Sequence, residues 1–374
     1  MYKNTVVIVH FQPIEFYPPI LNLLSIINSS DTSQKVVCIT TNQSKFTENN
    51  KYDKVKIIRK DTRSKFRSLR LLKYFYFYFY SFRFFILNRP KKVLYFESIS
   101  AAPCLLYKLL FNKSEIFVHF HEYTTPNEYR VGMILNRLNY FLEKRYLRKF
   151  EWISHTNSKR MELFLNDLNK KEMLKTQIMP NYPTNSWIDE ARSFFIKTPN
   201  LPTQKIKLLY IGALSFEDTY IQEICEFVLA NEELYHFTIY SISYTNDVIE
   251  YLKKINNTSI SFKGSINYAK IPSVLSENNI GIILYKGNIP NFIYNAPNKL
   301  FEYINGGLDV WFPTEMKGCK EYKSLHSPKV FELDFKKIDV SLKEYSFKGQ
   351  NLPEKKYSAE LATRNLLNKL LRNI

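Results

Sequence analysis

The stretch YNAPNKLFEYINGGLDVWFP, residues Tyr294 to Pro313, joins a proline, a polar and apolar helical pattern, two glycines and an apolar run. Proline suits the first position of a helix, so a helix is predicted to begin at Pro297. The pair Gly306 and Gly307 is typical of a helix end, and Leu308 to Phe312 then predicts a buried strand. The stretch therefore predicts a helix that leads directly into a strand of a parallel sheet.

The start of this predicted helix is suited to binding an anion. The backbone N–H groups of Asn298 and Lys299 would point out of the helix N-terminus, where the helix dipole is positive. Glu302 follows Asn298 by four residues and so lies on the same face, where its carboxylate could accept hydrogen bonds from two ribose hydroxyls. Asn298, Lys299 and Glu302 are therefore predicted to bind a nucleotide diphosphate. The alternative is an ordinary amphipathic helix without a ligand.

The pattern P-N-K-L-F-E-Y-(x)2-G-G-L that starts at Pro297 is similar to the P-x-K-x-x-E-Y block of GT-B glycosyltransferases, in particular family 4. The first acid of that family's E-x7-E pair would fall at Tyr294, so only the second, Glu302, is present. The resemblance implies an α/β fold of GT-B architecture, with two Rossmann-like parallel-sheet domains facing a central cleft. It further implies a retaining hexosyltransferase that moves a sugar from a nucleotide-diphosphate donor to a glycan or lipid-linked acceptor, in bacterial surface polysaccharide or glycolipid synthesis.

Composition narrows the class of protein. The chain has 374 residues, 45% of them hydrophobic and 24% charged, which fits two globular domains and excludes a disordered or fibrous protein. The formal net charge of +18 favours anionic partners such as nucleotide phosphates, anionic lipids or nucleic acid. The four cysteines have no metal-ligand spacing, and no signal peptide is recognisable. A cytoplasmic protein is expected.

Short β-branched runs alternate with helical stretches, which is typical of parallel sheets with crossover helices. The domains are predicted at 1–180 and 187–355, with a helix in 356–374 that returns to the first domain as the GT-B resemblance implies. Strands are predicted near Val6–Val9, Lys35–Thr40, Val55–Ile58, Val93–Phe96, Ile116–Val118, Trp152–Ser154, Lys207–Ile211, Phe237–Tyr240, Ser259–Phe262, Gly281–Leu284 and Leu308–Phe312.

The second domain is predicted to bind the nucleotide. Eight of the nine glycines follow residue 200, and Gly212 comes directly after the first predicted strand there, where a ligand can approach the backbone. Neither a G-x-G-x-x-G nor a P-loop motif occurs, which argues against an NAD enzyme and a P-loop NTPase. The family usually supplies an Arg and a Lys after this strand, but the chain reads GALSFEDTYIQE. Lys286 and above all Lys299 are the remaining candidates for binding the diphosphate.

Two histidines, His119 and His121, stand at the end of a predicted strand of the first domain. The family resemblance places a histidine here near the donor sugar, and His121 is the better match. With Glu122 they could also be metal ligands, yet no third and fourth ligand has a usable spacing, and no D-x-D motif occurs, so neither a metal nor a cofactor is expected. The alternative is a histidine bonded within the core. His10 and Glu15 are weaker candidates for contact with the acceptor.

The stretch Arg59 to Lys92 surrounds the aromatic block YFYFYFYSFRFF with cations. Charges within the apolar run argue against a spanning helix, whereas rings with many cations suit the headgroup region of an anionic membrane. A crossover helix that buries its rings on the sheet is the alternative, and stacking on nucleobases is disfavoured because the rings form one uninterrupted run. The residues predicted to face the inner surface of the cell membrane are Arg63, Arg67, Arg70 and Lys73.

Two other functions remain open. Tyr294 in place of an acid and the missing Arg/Lys pair favour a non-catalytic binding or scaffold protein of the same fold. A sugar-nucleotide epimerase could share the architecture, but the acid and base carboxylates that it needs are not evident in the sequence.

Overall fold

The structure is a computed structural model that describes residues 3–42, 52–168, 174–197, 205–255, 257–342, 345–347, 349 and 351–372. The chain forms two compact units. Unit 1 comprises Met1–Asn181 and Ala359–Ile374, and unit 2 comprises Tyr182–Ser358. The chain passes from one unit to the other inside the proline-containing segment MPNYPTNS.

Unit 1 is built on a parallel sheet of β-branched and aromatic strands. In the described residues its strands are β1 Lys3–His10, β2 Lys35–Thr41, β3 Val55–Lys60, β4 Pro90–Phe96, β5 Glu115–Phe120, β6 Trp152–His155 and β7 Thr176–Ile178. They lie in the order β3-β2-β1-β4-β5-β6-β7. The order reverses between β1 and β4, and such a switch point leaves a crevice at the carboxyl ends of the strands.

Unit 2 repeats this arrangement. Its described strands are β8 Ile206–Ile211, β9 Tyr235–Tyr240, β10 Ile260–Phe262, β11 Ile280–Ile282, β12 Asp309–Pro313 and β13 Val330–Leu333. All pairs are parallel, in the order β10-β9-β8-β11-β12-β13, so the switch point lies between β8 and β11. The predicted α/β class with two Rossmann-like parallel sheets is confirmed.

Helices form the crossovers, as parallel pairing requires. The described α-helices are α1 Pro18–Ser29, α2 Arg67–Asn88, α3 Ala101–Leu110, α4 Pro126–Val131, α5 Ile134–Tyr146, α6 Ser158–Leu168, α7 Asn185–Lys197, α8 Ile221–Ala230, α9 Asn246–Lys254, α10 Ile271–Leu275, α11 Pro290–Ile293, α12 Asn298–Asn305, α13 Ile338–Ser341 and α14 Ala359–Leu370. Short 3-10 helices span Ile14–Phe16, Ser98–Ser100, Leu147–Lys149, Tyr268–Lys270, Lys317–Tyr322 and Phe335–Lys337.

Helix α14 belongs to unit 1 because its apolar face is buried there. Leu366 and Leu370 are fully buried in the same core as Leu24 and Ile27 of α1. The ammonium of Lys92 donates to the backbone carbonyl of Lys369, 2.7 Å away, and so contacts the carboxyl end of the helix. Cations at this end of a helix interact favourably with its dipole.

Candidate functional site

Helix α12 begins one residue later than the sequence predicts. Pro297 has φ −71° and ψ 155°, so it is the N-cap and not the first helical residue. The extended ψ places the Pro297 carbonyl to accept a hydrogen bond from the N–H of Leu300, 2.9 Å away. Asn298 and Lys299 are therefore the first two helical residues, and their N–H groups are among those that a helix leaves without internal partners.

The inner side of α12 is fixed to the sheet by a close contact. The hydroxyl of Tyr303 accepts a hydrogen bond from the N–H of Ile211 in β8, at 3.1 Å. The Tyr303 ring also covers Gly281 of β11, where a Cβ atom would lie only 2.2 Å from the ring. At the helix end, Gly307 has φ +83°, and the N–H of Leu308 bonds the Tyr303 carbonyl at 3.0 Å. These contacts hold the helix against the two strands that flank the switch point of unit 2.

Glu302 is buried on α12 and incompletely satisfied. Only 1% of the residue is exposed, and its carboxylate forms an ion pair with the ammonium of Lys299 one turn away. The other oxygen, Oε1, has no hydrogen-bond partner among the residues that the structure describes. A buried acceptor without a donor costs free energy, which the hydroxyl of a ligand would recover. The structure thus brings the predicted residues Lys299 and Glu302 together, in a pairing that the sequence did not reveal.

Gly212 begins the loop after β8, and Lys286 is held against that loop. A Cβ atom at Gly212 would lie 2.6 Å from the hydroxyl of Tyr210, so the position has no room for a side chain. The Lys286 ammonium donates to the carbonyl of Phe216 at 2.9 Å and lies 3.5 Å from the carboxylate of Glu223. Lys286 is therefore not a freely solvated surface lysine. It brings a cation to a loop in which the Arg and Lys expected from the sequence resemblance are absent.

His121 lies directly after β5, at the carboxyl edge of the unit 1 sheet. Its ring is stacked between Phe96, at 5.0 Å, and Tyr17, at 5.7 Å, and the residue is only 5% exposed. Burial lowers the pKa of His121 well below its usual value, and the nearby His119 and His10 act in the same direction. The imidazole is therefore neutral at pH 7 and suited to hydrogen bonding with an uncharged group.

The other two histidines occupy different surroundings. His119 is fully buried, its Nδ1 lies 2.9 Å from the hydroxyl of Ser154, and burial lowers its pKa to about 3. It fits the predicted alternative of a histidine bonded within the core. His10 ends β1, its Nδ1 lies 2.6 Å from the carbonyl of Gln12, and burial lowers its pKa to about 4. The His10 and His121 ring centroids are 6.2 Å apart, so the structure places these two predicted site residues together.

Glu97 is a functional candidate that sequence reasoning missed. It follows β4 with φ +61° and ψ 147°, a conformation that side chains rarely adopt outside functional sites. Its Oε1 accepts hydrogen bonds from the N–H groups of His121, at 2.5 Å, and Glu122, at 3.3 Å. Burial, together with the neighbouring Glu122, raises the pKa of Glu97 to about 8. An acid directly after a buried strand, at the same edge as His10 and His121, was the signal that could have identified it.

Glu15 lies in the 3-10 helix after β1 and forms an ion pair with Arg59 of β3. Its side chain is only 14% exposed, so the carboxylate is held within unit 1 and is not a free loop group. Of the predicted acceptor candidates, His10 is thus buried and Glu15 is only slightly exposed.

The predicted membrane-facing residues lie at the start of α2 and in the loop before it. Arg67 and Arg70 are exposed on the first turns of the helix. Arg63 and Lys73 both contact the carboxylate of Asp61, at 3.5 Å and 2.5 Å. Helix α2 buries Phe77 and Phe85 in the core, as expected of a crossover helix packed on the sheet. It also exposes Phe75 and Phe79 by more than half, so a contact of the aromatic block with a membrane stays compatible with the structure.

Among the residues that the structure describes, no three His, Cys, Asp or Glu side chains are arranged to hold a metal ion. Nor is any helix in those ranges both long enough and apolar enough to cross a membrane. All four cysteines are buried free thiols.

No family model matches the chain, and no curated protein matches its sequence. The assignment to family 4 therefore stays a prediction.

Solved structures, in contrast, match over nearly the whole length. HepE of Anabaena, solved in complex with UDP and glucose, has a TM-score of 0.66 at 11% identity, with 97% of this chain and 98% of that one covered. A glycosyltransferase from Rickettsia africae has a TM-score of 0.66 at 12% identity and full coverage of both chains. The UDP-GlcNAc 2-epimerase of Methanocaldococcus jannaschii has a TM-score of 0.59 at 12% identity, covering 97% and 99%. With its two Rossmann-like parallel sheets, the chain has the GT-B fold of these proteins.

Proposed function

We propose that this protein is a glycosyltransferase that moves a sugar from a nucleotide-diphosphate donor to a glycan or lipid-linked acceptor, in surface polysaccharide or glycolipid synthesis. The observation that carries the proposal is the buried Glu302 carboxylate, whose Oε1 lacks a partner among the described residues, one turn behind the start of α12. The UDP and glucose bound by the Anabaena neighbour, on the same fold, support this type of donor.

Donor binding would rearrange the pair on α12. The Lys299 ammonium forms an ion pair with the Glu302 carboxylate. A bound nucleotide offers ribose hydroxyls that donate to Glu302 and a diphosphate that attracts Lys299, so Lys299 exchanges one anionic partner for another while Glu302 gains hydrogen bonds from neutral donors. The N–H groups of Asn298 and Lys299 add donors to the phosphate. Gly212 and Lys286, on the loops after β8 and β11, complete the proposed donor site.

The proposed reaction develops negative charge on the leaving diphosphate. When the bond between the anomeric carbon and the diphosphate oxygen breaks, its electron pair stays on the diphosphate. The helix N-terminus and the Lys299 ammonium stabilise that charge as it forms. These groups supply the positive charge that the reaction needs, and so we propose a metal-independent reaction. Retention at the anomeric carbon is proposed from the resemblance to family 4 alone. The neutral His121 is assigned to hydrogen bonding with a hydroxyl of the donor sugar.

The acceptor is assigned to unit 1, where His10 ends β1 beside the switch point and Glu15 follows it. For an acceptor on a lipid carrier, we further propose that the protein works at the inner face of the cell membrane. The exposed Arg67 and Arg70 would attract anionic headgroups, each basic residue near the surface contributing about 1 kcal/mol.

Thermal unfolding in the presence of a panel of nucleotide sugars tests the proposal. A donor at about 100 times its Kd stabilises the protein by about 2.7 kcal/mol, which raises the Tm of a domain of this size by roughly 5–10 °C. The protecting donor is then offered to candidate acceptors, and release of nucleotide diphosphate that depends on the acceptor is expected. If no nucleotide sugar raises the Tm, the proposed donor site is wrong.

A sugar-nucleotide epimerase is the second candidate, and Glu97 favours it. The sequence revealed no carboxylate for acid-base chemistry, but the structure supplies one with a pKa of about 8 beside His121. A group with such a pKa can take and return a proton near neutral pH. In D2O an epimerase would incorporate deuterium at a ring carbon of the donor sugar without any acceptor, which NMR detects. Binding of the nucleotide sugar with neither reaction would indicate a non-catalytic protein.

A further inference from the structure

Helix α5 buries two polar residues, Asn139 and Glu143, beside Leu135 and exposes several apolar residues at the surface. Asn139 is buried and donates to the carbonyl of Ile99 at 3.1 Å. Glu143 is also buried, and its two oxygens accept hydrogen bonds from the hydroxyls of Tyr95 and Ser98. A surface helix of a globular protein normally has the opposite arrangement. The polar contacts anchor α5 firmly while leaving its apolar side outside.

The outward side carries a continuous row of apolar side chains. Ile134, Leu138 and Phe141 are four and three residues apart, so they share one helix face, and they are 75%, 53% and 66% exposed. The connection from α4 extends the row with Val131, 76% exposed, and Met133, 50% exposed. We call these five residues the α4–α5 stripe. Exposed apolar side chains grouped in this way indicate a surface that binds something apolar.

The charges around the stripe are mainly positive. The two acids between residues 126 and 149 are both engaged, since Glu128 forms a capping box with Thr125 and Glu143 is buried. The six cations of the same segment are Arg130, Arg137, Lys144, Arg145, Arg148 and Lys149. An apolar row bordered by cations matches an anionic bilayer, in which lipid tails lie below negative headgroups.

We propose that the α4–α5 stripe inserts into the interfacial region of an anionic membrane. The inference rests on the proposed attachment of unit 1 to a membrane, but it assigns the insertion to a segment that the basic, aromatic stretch of α2 does not include. Helix α3 packs against both α2 and α5, so the two cationic helices flank a shared neighbour. A second copy of the chain would present the same positive charge, which opposes self-association through this surface.

Helix α2 and the α4–α5 stripe make different contributions to membrane binding, and these contributions differ in their dependence on salt concentration. Binding through the α2 cations weakens as salt rises, because about 1 M salt shortens the Debye length to about 3 Å. Insertion of apolar side chains persists under that condition. Each apolar side chain removed from the membrane is expected to weaken binding about tenfold or more.

The test uses sedimentation with vesicles of phosphatidylcholine and phosphatidylserine at low and high salt. The double variant Val131→Ser/Ile134→Ser should lose binding by about 100-fold at both salt concentrations. Leu325→Ser is the matched control, because Leu325 is an equally exposed apolar residue, at 77%, on unit 2. It should bind like the wild type. In a separate variant, Ile134→Trp, brominated lipids should quench the fluorescence of the new tryptophan. The three native tryptophans are buried in the protein, so their fluorescence should not be quenched.

Three outcomes overturn the inference. If the double variant binds as tightly as the wild type while Arg67→Gln/Arg70→Gln does not, α2 alone makes the contact and the proposed attachment stands. If the wild type binds no vesicles, both fail, although protection by nucleotide sugars could still support the proposed catalysis. If the wild type dimerises in sedimentation velocity and the double variant does not, the stripe binds a second copy.

Discussion

Replacing Glu302 by alanine tests the donor site most directly, because the side chain combines burial, an ion pair and an oxygen without a partner among the described residues. A hydrogen bond to a charged group contributes about 1.5–3 kcal/mol, so losing the ribose contacts should weaken nucleotide binding by about 1–3 kcal/mol, roughly 5- to 150-fold. The loss should lie towards the lower end of this range. In the variant, Lys299 no longer has to leave a carboxylate before it reaches the phosphate.

Calorimetry with the protecting nucleotide diphosphate and with its 2′-deoxy analogue isolates the ribose contact. The wild type should discriminate between the two ligands, whereas Glu302→Ala should bind both with nearly equal affinity. Glu302→Gln keeps the side-chain volume and one acceptor oxygen, so its discrimination between the two ligands should be weaker than that of the wild type and stronger than that of Glu302→Ala. Thermal unfolding serves as the control for folding. The alanine variant loses the ion pair with Lys299, and removal of a buried oxygen without a partner offsets part of that cost, so the variant should remain folded with a lower Tm. Equal discrimination by the wild type and Glu302→Ala would refute the assignment of Glu302 to the ribose.

Three further predictions concern other groups. His121→Ala should lower kcat far more than it changes nucleotide affinity, since contacts made in the transition state appear in kcat. The activity of the wild type should be unaffected by a chelator. His119→Ala should lower activity less, and an equal effect of both variants in steady-state kinetics would count against His121. Because burial raises the pKa of Glu97 to about 8, above its usual 4.5, the wild type should lose stability as pH rises between these values. Urea unfolding at pH 5 and pH 8 should show a change on the order of 1–3 kcal/mol that Glu97→Gln lacks, and parallel behaviour of both proteins would contradict the assigned pKa. Arg67→Gln/Arg70→Gln should weaken binding to anionic vesicles at low salt only, and unchanged sedimentation would exclude these two cations from the membrane contact.

Most of the fold was predictable because hydrophobic runs and turn residues report directly on parallel strands. All eleven predicted strands occur, with ends shifted by a few residues. The two that were not predicted, β7 and β13, have three and four residues. In β7, Gln177 and Ile178 are exposed, so the apolar run that identifies an inner strand is missing. Such short edge strands are defined by the neighbour they pair with, which the local sequence does not contain.

The candidate site was predictable only where its residues follow one another in the chain. Asn298, Lys299 and Glu302 lie within one helical segment, so their proximity follows from helix geometry. The Lys299–Glu302 ion pair depends on how deeply α12 is buried, which its own sequence does not fix. Glu97 was missed for a related reason. Its contact with the N–H of His121 joins residues 24 positions apart and exists only because β4 and β5 are neighbours in the sheet.

The two switch points differ in charge, and the difference supports a division of labour between the units. At the edge of unit 2 stand Lys286, Lys299 and the positive end of α12, which suit an anionic diphosphate. The edge of unit 1 instead has histidines that burial keeps neutral, together with Glu97, whose raised pKa leaves it largely uncharged at pH 7. Neutral donors and acceptors suit the hydroxyls of a sugar, and the buried cation beside them, Arg160, is already engaged, since its guanidinium donates to the carbonyl of His121 at 2.7 Å. We therefore expect the diphosphate to bind unit 2 even in the absence of any acceptor, and the affinity of unit 1 for uncharged sugars to be unaffected by Lys299→Ala in calorimetry.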